Sequence, residues 1–337
     1  MHNRRARPTL RVLEEDLISD WGSARPRRLL ADREYAGLHP LSELPHPIVA
    51  KAVESFGTDP DNDNHAGAIK SSVEIPLLEI KNSQWRGGIW TDTDDGVCWL
   101  LVAGLAKGGH EDRDDFYRRV ERENDSGASA KWLPTDDDRR LLRQETAARL
   151  TLEWELGLQR RILQALEAIH TGGSIRFPVP HPSPKQPRDL AEVELTVDLV
   201  RDSDISTDDV VVEVRPRPGA SYAWVTKLET RMLISINPPE QGWDTSGNHL
   251  FSNMAEPGAW TERIVELKAL CEANELAVSE PGTASHYTHR AGLVSSTIDG
   301  RAVRALCGVY FVPTQDHERL PQCDTCATRY SNLPQDV

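Results

Sequence analysis

Long apolar runs are missing from this chain of 337 residues. No segment approaches the roughly 18 apolar residues that a helix needs to cross a bilayer, so we expect a soluble protein without a membrane partner. The N-terminal stretch MHNRRARPTLRVLEEDL contains arginines but lacks the hydrophobic segment that follows them in a secretion signal. The sequence therefore predicts a cytoplasmic location.

Short motifs of several enzyme classes are also missing. The sequence has no glycine-rich phosphate loop, no nucleophile elbow around a serine and no HExxH motif. No motif therefore indicates a P-loop NTPase, an α/β-hydrolase or a zinc protease of that type. Candidate residues for chemistry have to be sought in looser clusters of side chains.

Cysteine is scarce, with five residues in the chain. An odd number at low density is typical of a reducing compartment, where clustered thiols bind metal more often than they form disulfides. Three of the five lie close together near the C-terminus, in the segment RALCGVYFVPTQDHERLPQCDTCATRY. This cluster is the first candidate for a functional site.

Positive charge is outweighed by negative charge, because 39 Lys and Arg stand against 53 Asp and Glu and give a formal net charge of −14. This balance argues against a protein that coats nucleic acid nonspecifically, since phosphate contacts need positive potential. It is compatible with a local basic site. Arginines near the N-terminus form either a solvated tail or an arm that touches RNA, DNA or an acidic partner: Arg4, Arg5, Arg7, Arg11, Arg25, Arg27 and Arg28.

The length predicts two or three domains, and the pattern of elements predicts an α+β fold. We expect an irregular leader over 1–45, a helix and antiparallel-sheet domain over 46–125, and a long helical connector over 126–172. A β-rich domain is predicted over 173–255. A helix and a small zinc-binding domain are predicted over 256–337.

Some local patterns predict individual elements. Asp95-Gly96 is a two-residue hairpin signal, and the apolar strand after it, VCWLLVAGLA, should be buried on both faces. Thr135 and Asp138 resemble a helix-capping pair ahead of a long helical pattern that Gly172-Gly173 ends. Further along, AEVELTVDLV, DVVVEVRPR and YAWVTKLETRMLISIN alternate apolar with polar residues and predict antiparallel strands.

The C-terminal cysteines have the spacing of a metal site. Cys323 and Cys326 form a CxxC pair, which lets two thiolates from one tight turn reach a tetrahedral ion at about 2.3 Å. Cys307 lies upstream on a predicted strand, and three nearby histidines are candidates for a fourth ligand: His286, His289 and His317. The alternatives are a redox CxxC pair, or a buried core thiol and two exposed free thiols.

HYTHR, VSSTIDGRAVRALCGVYFVP and LPQCDTCATRY, within about 283–330, resemble the segments of a small actinobacterial family of uncharacterised proteins. The chain has Asp324 where that family tends to have proline. The resemblance implies four metal ligands: His286, Cys307, Cys323 and Cys326. Because four protein ligands leave no open position for water, the implied site holds a structural Zn²⁺ ion rather than a catalytic one.

A second resemblance covers about 46–125. The segment LLEIKNSQWRGGIWTDTDDGVCWLLVAGLAKGGHEDRDDFYRRVE, with the helical region before it, resembles the sheet of RelE/HigB-type toxins. The resemblance implies a RelE-like domain and metal-independent RNA cleavage on the ribosome, in which the RNA 2′-hydroxyl attacks its own phosphate. That reaction needs cations near the phosphate and a group that moves protons. The matching residues are Arg86 and Lys107 as cations and His110 as acid or base.

Acidic residues distinguish this segment from small basic toxins of that type. Several lie close to the implied site and would repel an RNA backbone: Asp92, Asp94, Asp95, Glu111, Asp112, Asp114 and Asp115. The sequence therefore supports two hypotheses. One is a toxin-like, RNA-acting protein of phage defence or a toxin–antitoxin pair, with RNA, the ribosome or an antitoxin as its partner. The other is a non-enzymatic zinc-containing protein-interaction or regulatory protein with an inactive RelE-like domain.

Overall fold

The computed structural model describes residues 5–38, 40–107, 112–186, 188–203, 206–238, 240–280, 282–290, 293–298, 302–313 and 317–333. Within these ranges the chain forms helices, antiparallel sheets and one long helix, which confirms the predicted α+β class. The chain divides into two compact units, Met1–Arg149 and Leu150–Val337. The division falls inside the segment that the sequence predicted to be a separate helical connector.

A four-stranded sheet forms the centre of the first unit. Its strands are β1 (Ala6–Pro8), β2 (Leu78–Asn82), β3 (Trp85–Thr91) and β4 (Cys98–Leu105). They lie in the order β1-β4-β3-β2, and all pairs are antiparallel except β1 with β4. Cys98 and Leu100 of β4 pack in one apolar cluster, and Trp99 and Leu101 pack in another. The predicted burial of this strand on both faces is therefore confirmed.

Three α-helices accompany this sheet: α1 (Arg25–Ala31), α2 (Pro47–Ser55) and α3 (Phe116–Asp125). Proline is well tolerated in the first turn of a helix, and Pro47 begins α2. The His46 side chain caps this helix, because its Nδ1 accepts a hydrogen bond from the backbone N–H of Ile48 at 3.3 Å. Asp115 caps α3 in the same way by accepting from the N–H of Tyr117 at 3.0 Å.

The first 45 residues differ from the predicted irregular leader. Where they are described, they supply β1 and α1, and many of their apolar side chains are buried: Ala6, Leu10, Val12, Leu13, Leu17, Leu30, Leu38, Leu41 and Leu44. The chain changes conformation every few residues here, so its apolar residues follow neither a strand period nor a helix period. The sequence pattern therefore concealed a contribution to the core.

Three of the N-terminal arginines are held in ion pairs of the first unit. Each has an acidic partner: Arg5 with Asp63, Arg7 with Glu145, and Arg11 with Asp16. Arg7 is also buried, and its guanidinium lies 5.3 Å from the ring centre of Trp99. These three arginines stabilise the fold and do not form the solvated tail or the nucleic-acid-binding arm that the sequence suggested.

The connection between β3 and β4 is longer than the predicted two-residue turn. Thr91 ends β3 and Cys98 begins β4. The N–H of Asp92 donates to the Val97 carbonyl at 2.9 Å, and the N–H of Gly96 donates to the Asp92 carbonyl at 2.9 Å. Gly96 has φ +72°, a backbone conformation that favours glycine. The Asp-Gly pair thus predicted the hairpin but not the length of its loop.

One long helix, α4 (Asp136–Ile169), has 34 residues. The predicted capping pair is confirmed, because Thr135 N–H donates to Asp138 Oδ2 at 2.8 Å and Asp138 N–H donates to Thr135 Oγ1 at 3.2 Å. Gly157 lies on its exposed side and does not interrupt it. The helix ends before Gly172, as the sequence predicted.

The second unit contains a five-stranded antiparallel sheet. Its strands are β5 (Gly173–Pro180), β6 (Asp189–Arg201), β7 (Ser206–Pro216), β8 (Asp244–Ser246) and β9 (Leu250–Ala255). They lie in the order β5-β6-β7-β9-β8. Alternate residues of the long strands are buried, including Val193, Leu195 and Val197 of β6. The prediction of an antiparallel sheet with one wet face is confirmed for β6 and β7.

The predicted third strand, YAWVTKLETRMLISIN, is wrong, because these residues form helix α5 (Tyr222–Ile236). Val225, Leu228, Met232 and Ile236 are buried at spacings of three and four residues, which is the period of a helix face. The same segment also alternates apolar with polar residues over short windows, so either period fitted the sequence. Helix α6 (Ala259–Ala273) follows β9, and its Trp260 and Leu267 pack in the same core as α5.

The last part of the second unit has short elements: α7 (Leu293–Ile298), β10 (Val303–Arg304), β11 (Tyr310–Phe311) and α8 (Asp324–Ser331). β10 and β11 pair antiparallel. Among all the helices in the described ranges, none combines the length and the apolar character that crossing a membrane requires.

A pair of glycines allows close packing in the sheet of the first unit. A β-carbon at Gly88 would lie 2.7 Å from Val102 Cγ2 and 2.8 Å from Leu77 Cδ1. Both neighbours are buried side chains of the core. The absence of a side chain at Gly88 therefore leaves the space that the side chains of Val102 and Leu77 occupy over β3.

We predict that Gly88→Ala lowers the free energy of unfolding by about 1–3 kcal/mol, because the new methyl group overpacks the sheet. Gly157→Ala is the matched control, since no atom lies within 4 Å of its β-carbon position, and it should stabilise α4 by about 1 kcal/mol. Urea denaturation followed by tryptophan fluorescence measures both changes. Equal effects of the two substitutions would contradict the close packing at Gly88.

Candidate metal centre

The sequence predicts a strand at Cys307. In the structure Cys307 lies instead in the turn between β10 and β11. The turn is closed by hydrogen bonds from Ala305 N–H to the Val309 carbonyl at 2.7 Å and from Gly308 N–H to the Ala305 carbonyl at 2.9 Å. Gly308 has φ +100°, which a residue with a β-carbon rarely adopts. This turn directs the Cys307 side chain to the candidate site, where it is 9% exposed.

The CxxC pair lies at the start of α8. Cys323 is the N-cap residue, and its carbonyl accepts a hydrogen bond from Ala327 N–H at 3.0 Å. Cys326 lies in the first turn and is fully buried. One helical turn therefore presents both sulfurs at the end of the helix where backbone N–H dipoles favour negative charge, including that of a thiolate.

His286 lies on an extended segment between these two structures. The residue before it, Ser285, donates to the Pro321 carbonyl at 2.9 Å and accepts from Cys323 N–H at 2.9 Å. The residue after it, Tyr287, accepts from Leu306 N–H at 2.7 Å. Backbone hydrogen bonds thus tie one side of His286 to the CxxC segment and the other side to the Cys307 turn.

Four side chains converge as a result: His286, Cys307, Cys323 and Cys326. Their candidate ligand atoms all lie within 4.8 Å of one another. His286 Nδ1 is 3.4 Å from Cys307 Sγ and 3.6 Å from Cys326 Sγ. These four residues can hold a metal ion, and they are the four that the family resemblance implied. His289 and His317, the other histidines considered, are not part of the group.

Burial affects the protonation of Cys307 and His286. Burial and the neighbouring Cys326 raise the pKa of Cys307 to about 12, so its thiol keeps its proton at neutral pH in the absence of a cation. Burial lowers the pKa of His286 and favours the neutral imidazole, which is the form that binds metals. The Nε2 atom of His286 is buried without a hydrogen-bond partner in the described part of the chain.

An aromatic pair packs beside the site. The rings of Tyr287 and Tyr330 stack with their centres 4.3 Å apart and their planes 9° from parallel. Gln322 Nε2 donates to the Tyr287 hydroxyl at 2.8 Å, and Arg329 of α8 donates to the Leu306 carbonyl at 3.0 Å. The first two contacts join the segment around His286 to Gln322 and α8, and the third joins α8 to the residue before Cys307.

A buried carboxylate anchors the metal-centre segment, the part of the chain from His286 to Cys326, to the rest of the second unit. Glu229 of α5 is 1% exposed and accepts a hydrogen bond from the Tyr310 hydroxyl at 2.5 Å. Its other oxygen contacts Nδ1 of His249, a residue with φ +72° in the β8–β9 hairpin. Burial and the Glu229 charge raise the pKa of Tyr310, so its hydroxyl stays protonated and donates.

Sequence reasoning missed this anchor. Glu229 lies within the segment predicted to be a strand, and its burial becomes visible only when that segment is seen as a helix. The one signal was Tyr310 itself, a polar aromatic residue in the apolar stretch GVYFVP. A buried tyrosine hydroxyl needs a partner, but the sequence does not identify it.

The two cations predicted for RNA chemistry are in separate contacts. Arg86 of β3 donates from Nε to the Tyr117 hydroxyl at 3.2 Å and from Nη1 to the Ser83 carbonyl at 2.7 Å. Lys107 follows β4, and its Nζ lies 2.6 Å from Asp112 Oδ2. His110 lies outside the described residues. The structure therefore places an acceptor or an acidic group against each of the two cations.

We predict that Tyr310→Phe lowers the free energy of unfolding by about 1–3 kcal/mol, because it leaves a buried oxygen of Glu229 without its donor. Tyr330→Phe is the control, since this ring is 55% exposed and keeps its stacking; a change within about 0.5 kcal/mol is expected. Thermal and urea denaturation measure both. Equally small effects would show that the Tyr310–Glu229 contact does not anchor this segment.

Comparison with known protein families covers the same region. A family model described as a protein of unknown function, DUF3039, matches residues 279–333, which include all four candidate ligands. No curated protein and no solved structure matches the chain. The metal-centre segment is thus similar to a family whose function is unknown.

Proposed function

We propose that the four converging residues bind one zinc ion. Three cysteines and one histidine form a common donor set of structural zinc sites. Tetrahedral bonds of about 2.3 Å to sulfur and about 2.0–2.1 Å to nitrogen separate the two kinds of ligand atom by about 3.5 Å. The distances from His286 Nδ1 to two of the sulfurs, 3.4 and 3.6 Å, agree with this value.

The role of the zinc is structural. Four protein ligands complete the coordination, so water or substrate has no open position on the metal. The local apolar cluster has four buried members, Ala305, Cys307, Phe311 and Cys326, and two of them are metal ligands. A structural zinc can supply about 10–16 kcal/mol of folding free energy in small peptides, enough to order a segment with so little core.

We propose that the chain acts as a zinc-containing protein-interaction protein in the reducing cytoplasm. The observation that carries this proposal is the closed four-residue centre, which supports a binding module more than a catalytic one. Large apolar side chains on this part of the surface support it too, since Val294 and Ile298 of α7 are 73% and 77% exposed. Exposed apolar residues close together are typical of interaction surfaces.

RNA cleavage is the second candidate function, and it rests on the resemblance of about 46–125 to RelE/HigB-type toxins. In the first unit, helix α2 precedes the antiparallel strands β2, β3 and β4, α3 follows them, and β1 pairs with β4 in the same sheet. Two contacts argue for an inactive form. Arg86 Nε lies 3.8 Å from Glu79 Oε1, and Asp112 pairs with Lys107, so an acidic group lies against each cation that the resemblance assigns to the phosphate.

We predict about one zinc per chain by elemental analysis of the purified protein. Cys323→Ser should lose the metal and lower the melting temperature, because one of four ligands is removed. Cys271→Ser is the matched control, since this free cysteine lies on α6 outside the group of four. A folded native protein without bound metal would refute the zinc site.

For the second candidate, we predict that the purified chain leaves translated mRNA intact and that its overexpression does not slow growth, because acidic partners neutralise both cations. Primer extension on mRNA from a translation extract checks the first point. The double variant Arg86→Ala, Lys107→Ala is the control. Ribosome-dependent cuts by the native chain that this variant does not make would establish the cleavage activity instead.

A further inference from the structure

The three cysteines of the candidate metal centre differ in their access to solvent. Cys326 is fully buried, and Cys307 is 9% exposed. Cys323, the N-cap residue of α8, is half-buried. A small soluble reagent can therefore reach Cys323 more readily than the other two cysteines.

A metal ion in the proposed site would make Cys323 reactive as well as a ligand. Cysteines bind zinc as thiolates, and the thiolate is the form of cysteine that peroxides oxidise. Cys323 also lies at the N-terminal end of α8, where backbone dipoles favour a negative charge. Its accessibility and its negative charge together make Cys323 the expected point of oxidation in this centre.

Two other thiols lie close enough to react with an oxidised Cys323, because the ligand atoms of the centre all lie within 4.8 Å of one another. Cys326 is in the same helical turn, which the hydrogen bond from Ala327 N–H to the Cys323 carbonyl closes at 3.0 Å. Two α-carbons three residues apart in a helix are separated by about 5 Å, within the range of about 4.4–6.8 Å that disulfides span. Cys307 lies on a separate turn, so a disulfide between Cys323 and Cys326 needs the smaller movement.

We propose that the candidate metal centre is a redox switch, in which hydrogen peroxide converts Cys323 and Cys326 to a disulfide and zinc is released. The inference rests on the proposed zinc site. In the first step the Cys323 thiolate is oxidised to a sulfenic acid, and peroxide is reduced to hydroxide. In the second step the Cys326 thiolate attacks that sulfur, the S–S bond forms, the S–O bond breaks and a second hydroxide leaves. Both hydroxides take up protons from the solvent.

The disulfide removes the metal bonds that join α8 to the rest of the metal-centre segment. His286 and Cys307 are the ligands that remain, and two residues do not complete a tetrahedral site. The local apolar cluster has four buried members, so it cannot order the segment without the metal. The Tyr310 hydroxyl keeps its bond to Glu229 of α5. The switch therefore loosens α8 while the segment stays anchored to the second unit.

The test compares the zinc-loaded full chain with and without hydrogen peroxide and follows released zinc with a colorimetric chelator. We expect peroxide to release about one zinc per chain. Peptide mass mapping should find a disulfide between Cys323 and Cys326, and dithiothreitol with added zinc should restore the metal. Retention of zinc in peroxide, or a disulfide that contains Cys307 instead, would overturn the proposal. Native chain purified without zinc would instead refute the proposed function.

A matched pair of variants identifies the reactive sulfur. Cys323→His and Cys307→His each keep four ligands, in a set of two cysteines and two histidines that also binds zinc. Cys323→His should release zinc at least about tenfold more slowly than the native chain, because the accessible thiolate is gone. Cys307→His, with its CxxC pair intact, should release zinc at least as fast as the native chain.

Cys271→Ser removes another half-buried cysteine, on α6 outside the centre, and should leave the release rate unchanged. Equal release rates from the two histidine variants would overturn the assignment of Cys323. Where a histidine variant does not bind zinc, the disulfide map of the native chain decides between Cys326 and Cys307 as the partner of Cys323.

Discussion

The main constraint on the end of this chain is the shortage of apolar side chains that it can bury. Around the candidate centre, the local cluster has four buried members, and two of them are cysteines of the centre itself. Three backbone pairings, from Ser285 and Tyr287 to the two cysteine-bearing segments, bring the ligands together but cannot replace a core. A metal ion bound there would satisfy this constraint, because it would join three parts of the segment: the residues around His286, the turn at Cys307 and the first turn of α8. Tyr310 and Glu229 then connect the segment to the large core of the second unit, to which it belongs.

Some ligands of this site can be identified from the sequence and others cannot. The CxxC spacing identified Cys323 and Cys326 directly, because both ligands come from one turn. The choice of His286 over His289 and His317 comes only from a family resemblance. His286 reaches the site through tertiary contacts, and the spacing of residues in the sequence does not identify such a ligand. The sequence predicts a strand at Cys307 rather than a turn, because the apolar residues after it conceal a break that depends on the positive φ of Gly308. The fold class was predictable, whereas α5 was not, because its residues fit both periods.

The contacts of the basic residues were the hardest feature to predict from the sequence. The sequence shows the arginines of the N-terminus and the cations of the first unit, but it does not show which acidic residues pair with them. In the structure Arg7 is buried against Glu145 and Trp99, and Lys107 lies against Asp112. An arginine that pairs with an acidic residue far along the chain has the same local sequence as one that binds RNA. The excess of acidic residues makes such pairing common, which weakens any functional argument from a basic residue alone.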